Sequence, residues 1–478
     1  MAGIKKVEEQ YGKRLELIFK IAFLCLAIST FNSFLYVSAL QSVLVKGVLL
    51  LGMCTVLVRM LNWKKYVRVP GAVLMILFCI SFVFSVFMNR QYELIENLKW
   101  VIWTGLLFFL LYVCDVERER AEYRKEFRIL SHILILYTTV AAVIGLGMLV
   151  TSYNAILTTA DGGEAVQAGF SWGRLWGVYT DPNYGSVISV VTIILATLFC
   201  MQRKGCIRIF YIASILLNGL YVVFSDSRTG KITLSCCVAF YVFLWLIWKN
   251  REKSAGKRFG VAMAAAVCIG VLLAVGCYVV KKEYNQVLAP VMKEIFLTEQ
   301  KKPKTPVSQS QKQKVQKETV GRKSDIEKDV SNGRLALWES AVEIWKTSPV
   351  YGTGYTSLVP YCKKNIPDTY AVNNSITNYA SMHNAFLNTL VYQGIIGFVL
   401  LLAIAGRIIV YGVPQIFRAG EKEYMDLIAM LSCISAVVIG MMFLTEGTYT
   451  NSPGSFVLWT FSGYLVQNAY KKQAAHKN

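Results

Sequence analysis

Apolar residues in this chain come in long, nearly unbroken runs, each edged by short polar connectors. The runs are about 18–25 residues long, the length a helix needs to cross roughly 30 Å of hydrocarbon. They lie near residues 17–36, 40–60, 70–88, 98–115, 129–150, 184–201, 207–224, 232–248, 259–280, 383–411, 425–445 and 454–470. The pattern predicts an all-α, polytopic membrane protein with about twelve transmembrane helices. More spans follow the first run, so it is read as a retained span and not as a cleaved signal peptide. The tenth run, opening at "HNAFLNTLVYQGIIGFVLLLAIAG", is unusually long, as a tilted helix or one that starts above the bilayer would be.

Alternate connectors carry the cations. They include Lys5, Lys6, Lys13 and Arg14, then Arg59, Lys64, Lys65 and Arg68, then Arg118, Arg120, Arg124, Lys125 and Arg128. The series continues through Arg203–Arg208, Lys249–Arg258 and Arg407–Lys422 to the tail. This positive-inside pattern predicts both termini in the cytoplasm and the intervening loops outside. The expected organisation is therefore helices one to nine over 1–280, with an outer loop at 151–183. A large extracytoplasmic loop over 281–382 precedes the tenth span, and helices ten to twelve with a cytoplasmic tail fill 383–478.

Within the large loop, residues 281–330 hold a Lys/Gln/Ser/Pro-rich stretch almost without aromatics, read as a flexible spacer. Order is expected to return over 331–382. There Leu335, Trp338, Val342 and Trp345 recur at helical spacing, with Ser331 or Asn332 available as a cap. Gly352 and Gly354 in "YGTGYTS" suit a tight turn, and the spacing is too short for a phosphate loop.

Composition agrees with a membrane protein. The chain is 55% hydrophobic and 17% charged, against about 25% charged for a soluble domain. Its net charge of +21 would suit nucleic acid, but most of that charge lies in the short connectors, so no nucleic-acid partner is expected. Most of the twelve cysteines fall in or beside apolar runs, which leaves no disulfide framework and no paired metal-ligand spacing.

Counting spans puts Arg174, Arg228, Arg334 and His383 on one side of the membrane whichever way the chain is inserted. Arg174 lies in "WGRLWGVYTDPNYGS", and Arg228 lies with Asp226 in "FSDSRTGKI". The plain reading of such a charge at a bilayer edge is a local ion pair or a snorkelling anchor. Several outward arginines beside aromatics also suit a diphosphate headgroup, because guanidinium grips phosphate oxygens bidentately and keeps its charge. His383 at the start of a span reads either as structural or as a general base. Asp181-Pro182-Asn183 reads as a helix N-cap, which does not exclude ligand contact by Asp181 or Asn183. Lacking metal-ligand spacing, the outer residues point to charge stabilisation by arginine, with no cofactor and no divalent metal.

"GRLWGVYTDPNYGS", "FSDSRTGK", "NGRLALWESAVEIWKTSPVYGTGYTS" and "HNAFLNTLVYQGIIGF", in this order over roughly 165–465, resemble the O-antigen ligase and O-antigen polymerase superfamily. The resemblance implies a membrane glycosyltransferase of the bacterial cytoplasmic membrane, acting on its outer face and serving surface polysaccharide or capsule. The donor it implies is a polyprenyl-diphosphate-linked glycan, and the acceptor a glycan, lipid or wall polymer. It implies diphosphate binding by Arg174, Arg228 and Arg334, catalysis by His383 with Arg228, and inversion at the anomeric carbon. Asp181, Asn183, Asp226 and Asn384 would support them. The lysine-rich insertion ahead of Arg334 is no hallmark of that family and leaves the acceptor open, as it leaves polymerase against ligase. The extracytoplasmic lysines would suit an anionic polymer. Rival readings are a flippase for lipid-linked sugars, which should show repeated halves and broken helices, and a wall-binding sensor or scaffold.

Overall fold

A computed structural model describes residues 12–159, 162–292, 320–321, 333–374, 377–443 and 448–475. Its main helices are α1 (Lys13–Thr30), α2 (Ala39–Met60), α3 (Trp63–Val67), α4 (Ala72–Met88), α5 (Leu94–Leu106, continued by a π-turn over Leu107–Tyr112) and α6 (Arg120–Val150). Three strands follow: β1 (Asn154–Thr158), β2 (Ala165–Ser171) and β3 (Arg174–Gly177). Then come α7 (Pro182–Gln202), α8 (Cys206–Phe224), α9 (Arg228–Lys249), α10 (Ala255–Glu283), α11 (Arg334–Thr347), α12 (Leu358–Asn365), α13 (Ala385–Phe417), α14 (Glu421–Met441) and α15 (Pro453–Ala475). Helices cover every apolar run seen in the sequence. Among the described residues, nine are long and apolar enough to cross a membrane. Of the other three, α4 has only 17 residues, α1 carries Lys13, Arg14, Glu16 and Lys20, and α15 is described only in part. Most of the lysine-rich spacer, with Ser331 and Asn332, lies outside the described residues.

The chain divides into two compact units. One comprises Ser29–Gln41 and Ser131–Lys328, and the other Met1–Ile28, Ser42–Leu130 and Asp329–Asn478.

In the 29–41/131–328 unit the mostly helical fold carries one addition: 151–183 holds a three-stranded antiparallel sheet in the order β1-β2-β3. Trp172 and Gly173, with φ of 52° and 70°, form the two-residue turn between β2 and β3. Two successive left-handed residues match the right-handed twist of a hairpin. At Gly169 (φ 88°) a side chain would collide with the Tyr153 carbonyl, so the sheet needs glycine there. Asp181 accepts from the Asn183 and Tyr184 amides and caps α7, with Pro182 in its first turn. α7 is enclosed along 83% of its most apolar window and packs against α8 and α9. A side chain at Gly230 would collide with Ser186, so that glycine sets how closely α9 approaches α7.

In the other unit the central feature is a break in α13. Gly394 has φ 63° and ψ −163° and interrupts the helix. The Val391 and Tyr392 carbonyls, which lose their intrahelical partners there, accept from the Thr353 and Gly354 amides at 2.9 Å each, and the Ile395 amide donates to Pro349 O at 2.8 Å. Ser85 Oγ also donates to Tyr392 O at 2.7 Å. In an apolar surrounding each orphan backbone group costs several kcal/mol, so the 349–354 segment fixes the break. Gly352 (φ 70°) and Gly354 (φ 83°) make the required turn. Asn97 secures the following residues by donating to Ser357 Oγ and accepting from the Thr356 amide. α11 forms as expected but buries Leu337, Ala341 and Ile344, leaving Leu335 and Val342 exposed. The stripe seen in the sequence is thus not the one the protein packs.

A side chain at Gly352 would strike the Val391 carbonyl, and one at Gly394 the Val350 carbonyl, both on left-handed backbone. Gly352→Ala and Gly394→Ala are each expected to destabilise the protein by at least ~2 kcal/mol. Gly406→Ala, with open space around it, should be neutral. Thermal unfolding of the detergent-solubilised variants checks this, and unchanged melting of Gly352→Ala would refute the interlock.

Candidate functional site

Arg174 opens β3 directly after the hairpin turn and is buried. Its Nε donates to Ser225 O at 2.9 Å and its Nη2 to Asn183 Oδ1 at 2.7 Å. Asn183 is itself held by the Asp181 cap. The guanidinium therefore ties the hairpin, the start of α7 and the end of α8 together. Ser186 Oγ and Ser225 Oγ share a hydrogen bond at 2.7 Å just beneath.

Asp226 turns the chain from α8 into α9 with φ 48°. Its Oδ1 accepts from Lys231 Nζ at 2.6 Å and from Lys281 Nζ at 2.7 Å. Burial alone would raise this carboxyl, but the two ammonium groups outweigh it and hold Asp226 below the usual carboxylate range. Ser227 caps α9 by accepting from the Gly230 amide at 3.0 Å. Arg228, half-buried, is then the first residue of the helix. The described end of the long loop reaches the same place. Asn285 exchanges two hydrogen bonds with the Val320 backbone, and the Gly321 amide donates to Gly173 O at 2.9 Å. Arg174, Asp181, Asn183, Asp226 and Arg228 are thus gathered at one end of this unit.

Arg334 and His383, with Asn384, belong to the other unit. Arg334 is the first residue of α11, behind Gly333 (φ 77°), and its guanidinium lies 5.8 Å from the Phe443 ring centroid. His383 is left-handed (φ 49°) and half-buried. Asn384 caps α13 by accepting from the Phe386 and Leu387 amides at 3.0 and 3.1 Å. The turn ahead of it is held by Asn388, which accepts from the Met382 amide and donates to Ser381 Oγ, while Ser381 Oγ accepts from the His383 amide. Stacked tyrosines connect the two residues of interest. Tyr379 meets His383 edge-on at 5.9 Å and stacks on Tyr370 at 6.0 Å, and the Tyr370 hydroxyl lies against Gly333.

Two physical features mark these positions. Among the described residues five non-glycine residues have positive φ, and Asp226 and His383 are two of them, with Trp172 a third beside Arg174. Such backbone persists where the surroundings over-determine it, which is common at functional sites. Second, Arg228 and Arg334 occupy the first turn of a helix, where the macrodipole disfavours a cation. An anion there would offset that dipole.

Sequence reasoning missed Lys281 as a partner of Asp226, and it missed Ser381, Asn388, Tyr370 and Tyr379 around His383. Lys281 follows an apolar run and reads as an ordinary interfacial lysine. Its partner is 55 residues away, and nothing local signals the pairing.

A protein of Haemophilus influenzae, named only "Uncharacterized protein", is 21% identical over 224 residues, covering 46% of this chain. The alignment spans about half of that relative, 48% of its length. Residues 212–402 match the family model described as O-antigen ligase, an interval that contains Asp226, Arg228, Arg334, His383 and Asn384. Over this segment the chain is similar to the O-antigen ligase family.

Proposed function

We propose that the protein is a membrane glycan transferase of the ligase or polymerase kind. Its donor is a polyprenyl-diphosphate-linked glycan at the outer face of the bacterial cytoplasmic membrane, and its acceptor is a hydroxyl of a second glycan, a lipid or a wall polymer. The observation that carries the reading is the placing of Arg228 and Arg334 at the first position of α9 and α11. The helix dipole opposes a cation at that position, and an anion bound there would offset it.

In this mechanism Arg174 and Arg228 bind the donor diphosphate, with Arg334 a further cation for it. The acceptor hydroxyl attacks the anomeric carbon and its proton passes to His383. The bond from that carbon to the diphosphate oxygen breaks, with its electron pair leaving on the polyprenyl diphosphate. One displacement inverts the carbon. Charge develops on the leaving group, where fixed guanidinium groups stabilise it. Asp226, two residues ahead of Arg228, holds the ammonium groups of Lys231 and Lys281. Flippase function draws less support. The break in α13 is closed by backbone hydrogen bonds to 349–354, whereas a transporter uses such breaks to line a substrate path.

Arg228→Lys keeps the charge but loses the planar fork. It is expected to lower transfer from a purified lipid-linked donor by about a hundredfold while leaving thermal unfolding unchanged. Full activity would contradict diphosphate binding by Arg228. Transfer is also expected to continue in excess EDTA. Loss on chelation, restored by Mg²⁺, would move charge stabilisation from the arginines to a cation.

A further inference from the structure

In the 29–41/131–328 unit, α7 and α9 start side by side, with Gly230 against Ser186, and pack together over 21 and 22 residues. α8 and α10 run back along them, bringing Ser225 to Ser186 and Lys281 to Asp226. The connectors 203–205 and 250–254 therefore stand together at the end of this unit opposite Arg174 and Arg228, where α8 and α10 begin. This end is strongly basic. Residues 203–208 hold three cations and no acid, and residues 249–258 hold five cations and one acid, Glu252.

Arg203, Lys204, Arg208, Lys249, Arg251 and Lys257 are exposed, and none of them makes an ion pair among the described residues. The other unit treats its connector cations differently. Arg118 meets Glu126 at 2.6 Å, Arg124 meets Asp426 at 2.6 Å, Arg120 meets Glu423 at 3.0 Å and Lys65 meets Asp115 at 2.8 Å. Those charges are balanced within the protein, whereas the 203–208 and 249–258 charges are left for an outside anion. Two of the latter rest on indoles: Lys249 Nζ lies 4.7 Å from the Trp245 ring centroid, and the Arg251 guanidinium 4.2 Å from that of Trp248. Tryptophan is enriched where a chain meets the headgroup level of a bilayer, so these rings hold their cations at that level.

Exposed apolar side chains begin within one turn of this charge. Ile207, Ile209 and Ile212 open α8, and Phe259, Val261 and Val267 line the start of α10. Only 11% of the most apolar stretch of α10 is buried, so most of that helix faces outward. A partner that matches this end carries an anionic oxygen head beside an apolar tail. Nucleic acid or an acidic protein segment supplies the first half and not the second. We propose that this end of the unit binds an anionic glycerophospholipid. Its phosphate lies among the cations of 203–208 and 249–258, and its acyl chains lie along the exposed faces of α8 and α10. Clusters of about four to eight Lys or Arg next to a membrane span attract such headgroups. No side chain caps α8 or α10, so their first amides add donors for the phosphate oxygens. The surface lies away from the candidate transferase residues and does not depend on that reading.

The test uses the full-length protein, delipidated in detergent and placed in mixed micelles with equal amounts of phosphatidylcholine and phosphatidylglycerol of one acyl composition. Native mass spectrometry is expected to show phosphatidylglycerol retained about tenfold over phosphatidylcholine, a preference that weakens in about 0.5 M salt. Lys249→Gln/Arg251→Gln/Lys257→Gln and Arg203→Gln/Lys204→Gln/Arg208→Gln change only exposed side chains. Each should lower the preference by about threefold or more while leaving Tm in phosphatidylcholine unchanged. Lys249→Arg/Lys257→Arg, which keeps the charge, should retain it. So should Lys363→Gln/Lys364→Gln, which removes exposed cations from the other unit. Equal retention of the two lipids by the wild type, or an undiminished preference in both glutamine variants, would overturn the proposal. So would loss of the retained lipid to millimolar glycerophosphoglycerol, in favour of a soluble phosphodiester, or to a single-stranded oligonucleotide, in favour of nucleic acid.

Discussion

A polar group enclosed by apolar helices must find a partner inside the protein, and this constraint accounts for most of what is distinctive here. The Val391 and Tyr392 carbonyls freed by the break at Gly394 are met by amides of the 353–354 segment. Arg174 places two of its nitrogens on Ser225 O and Asn183 Oδ1. Asp226 holds two lysines, one of them 55 residues further along the chain. In each case a loop that could have been mobile is fixed by the need to satisfy a buried donor or acceptor. The candidate residues stand on those fixed loops.

The same reasoning links local backbone to chemistry. Trp172, Asp226 and His383 take left-handed φ values, conformations that only a well-determined surrounding sustains. Each lies at, or within two residues of, a proposed functional side chain: Arg174, Arg228 and His383 itself. Capping by Asp181, Ser227 and Asn384 starts α7, α9 and α13, so the amide-rich ends of three helices lie beside the candidate residues. A capped helix start therefore sets where Arg228 stands, and the β2–β3 turn sets where Arg174 stands. Such preorganisation is what stabilisation of a leaving diphosphate requires.

The apolar runs were legible because length and hydropathy are local properties, and a helix lies over each of them. The caps at Asp181 and the turn at Gly352–Gly354 were legible for the same reason. The break in α13 was not. "YQGIIGF" reads as continuous apolar sequence, and the segment that closes the break lies some forty residues earlier. The β2–β3 hairpin was hidden because its strands are 7 and 4 residues long and its turn uses Trp172 where Asn or Gly would have announced it. On α11 the apolar residues form two stripes, and only packing decides that Leu337, Ala341 and Ile344 go inside. The partnership of Asp226 with Lys281 is a contact across the fold with no pattern of its own.

The account is tested most directly by a gel profile of lipid-linked and mature surface glycan. The cells would lack this gene and be complemented with the wild-type chain or with His383→Ala made to the same level. The account predicts that transfer fails in the deletion and is restored only by the wild type. Single repeats in place of a ladder would identify polymerisation, and a full ladder stranded on the carrier lipid would identify ligation. An unchanged profile in the deletion, or full rescue by His383→Ala, would contradict it.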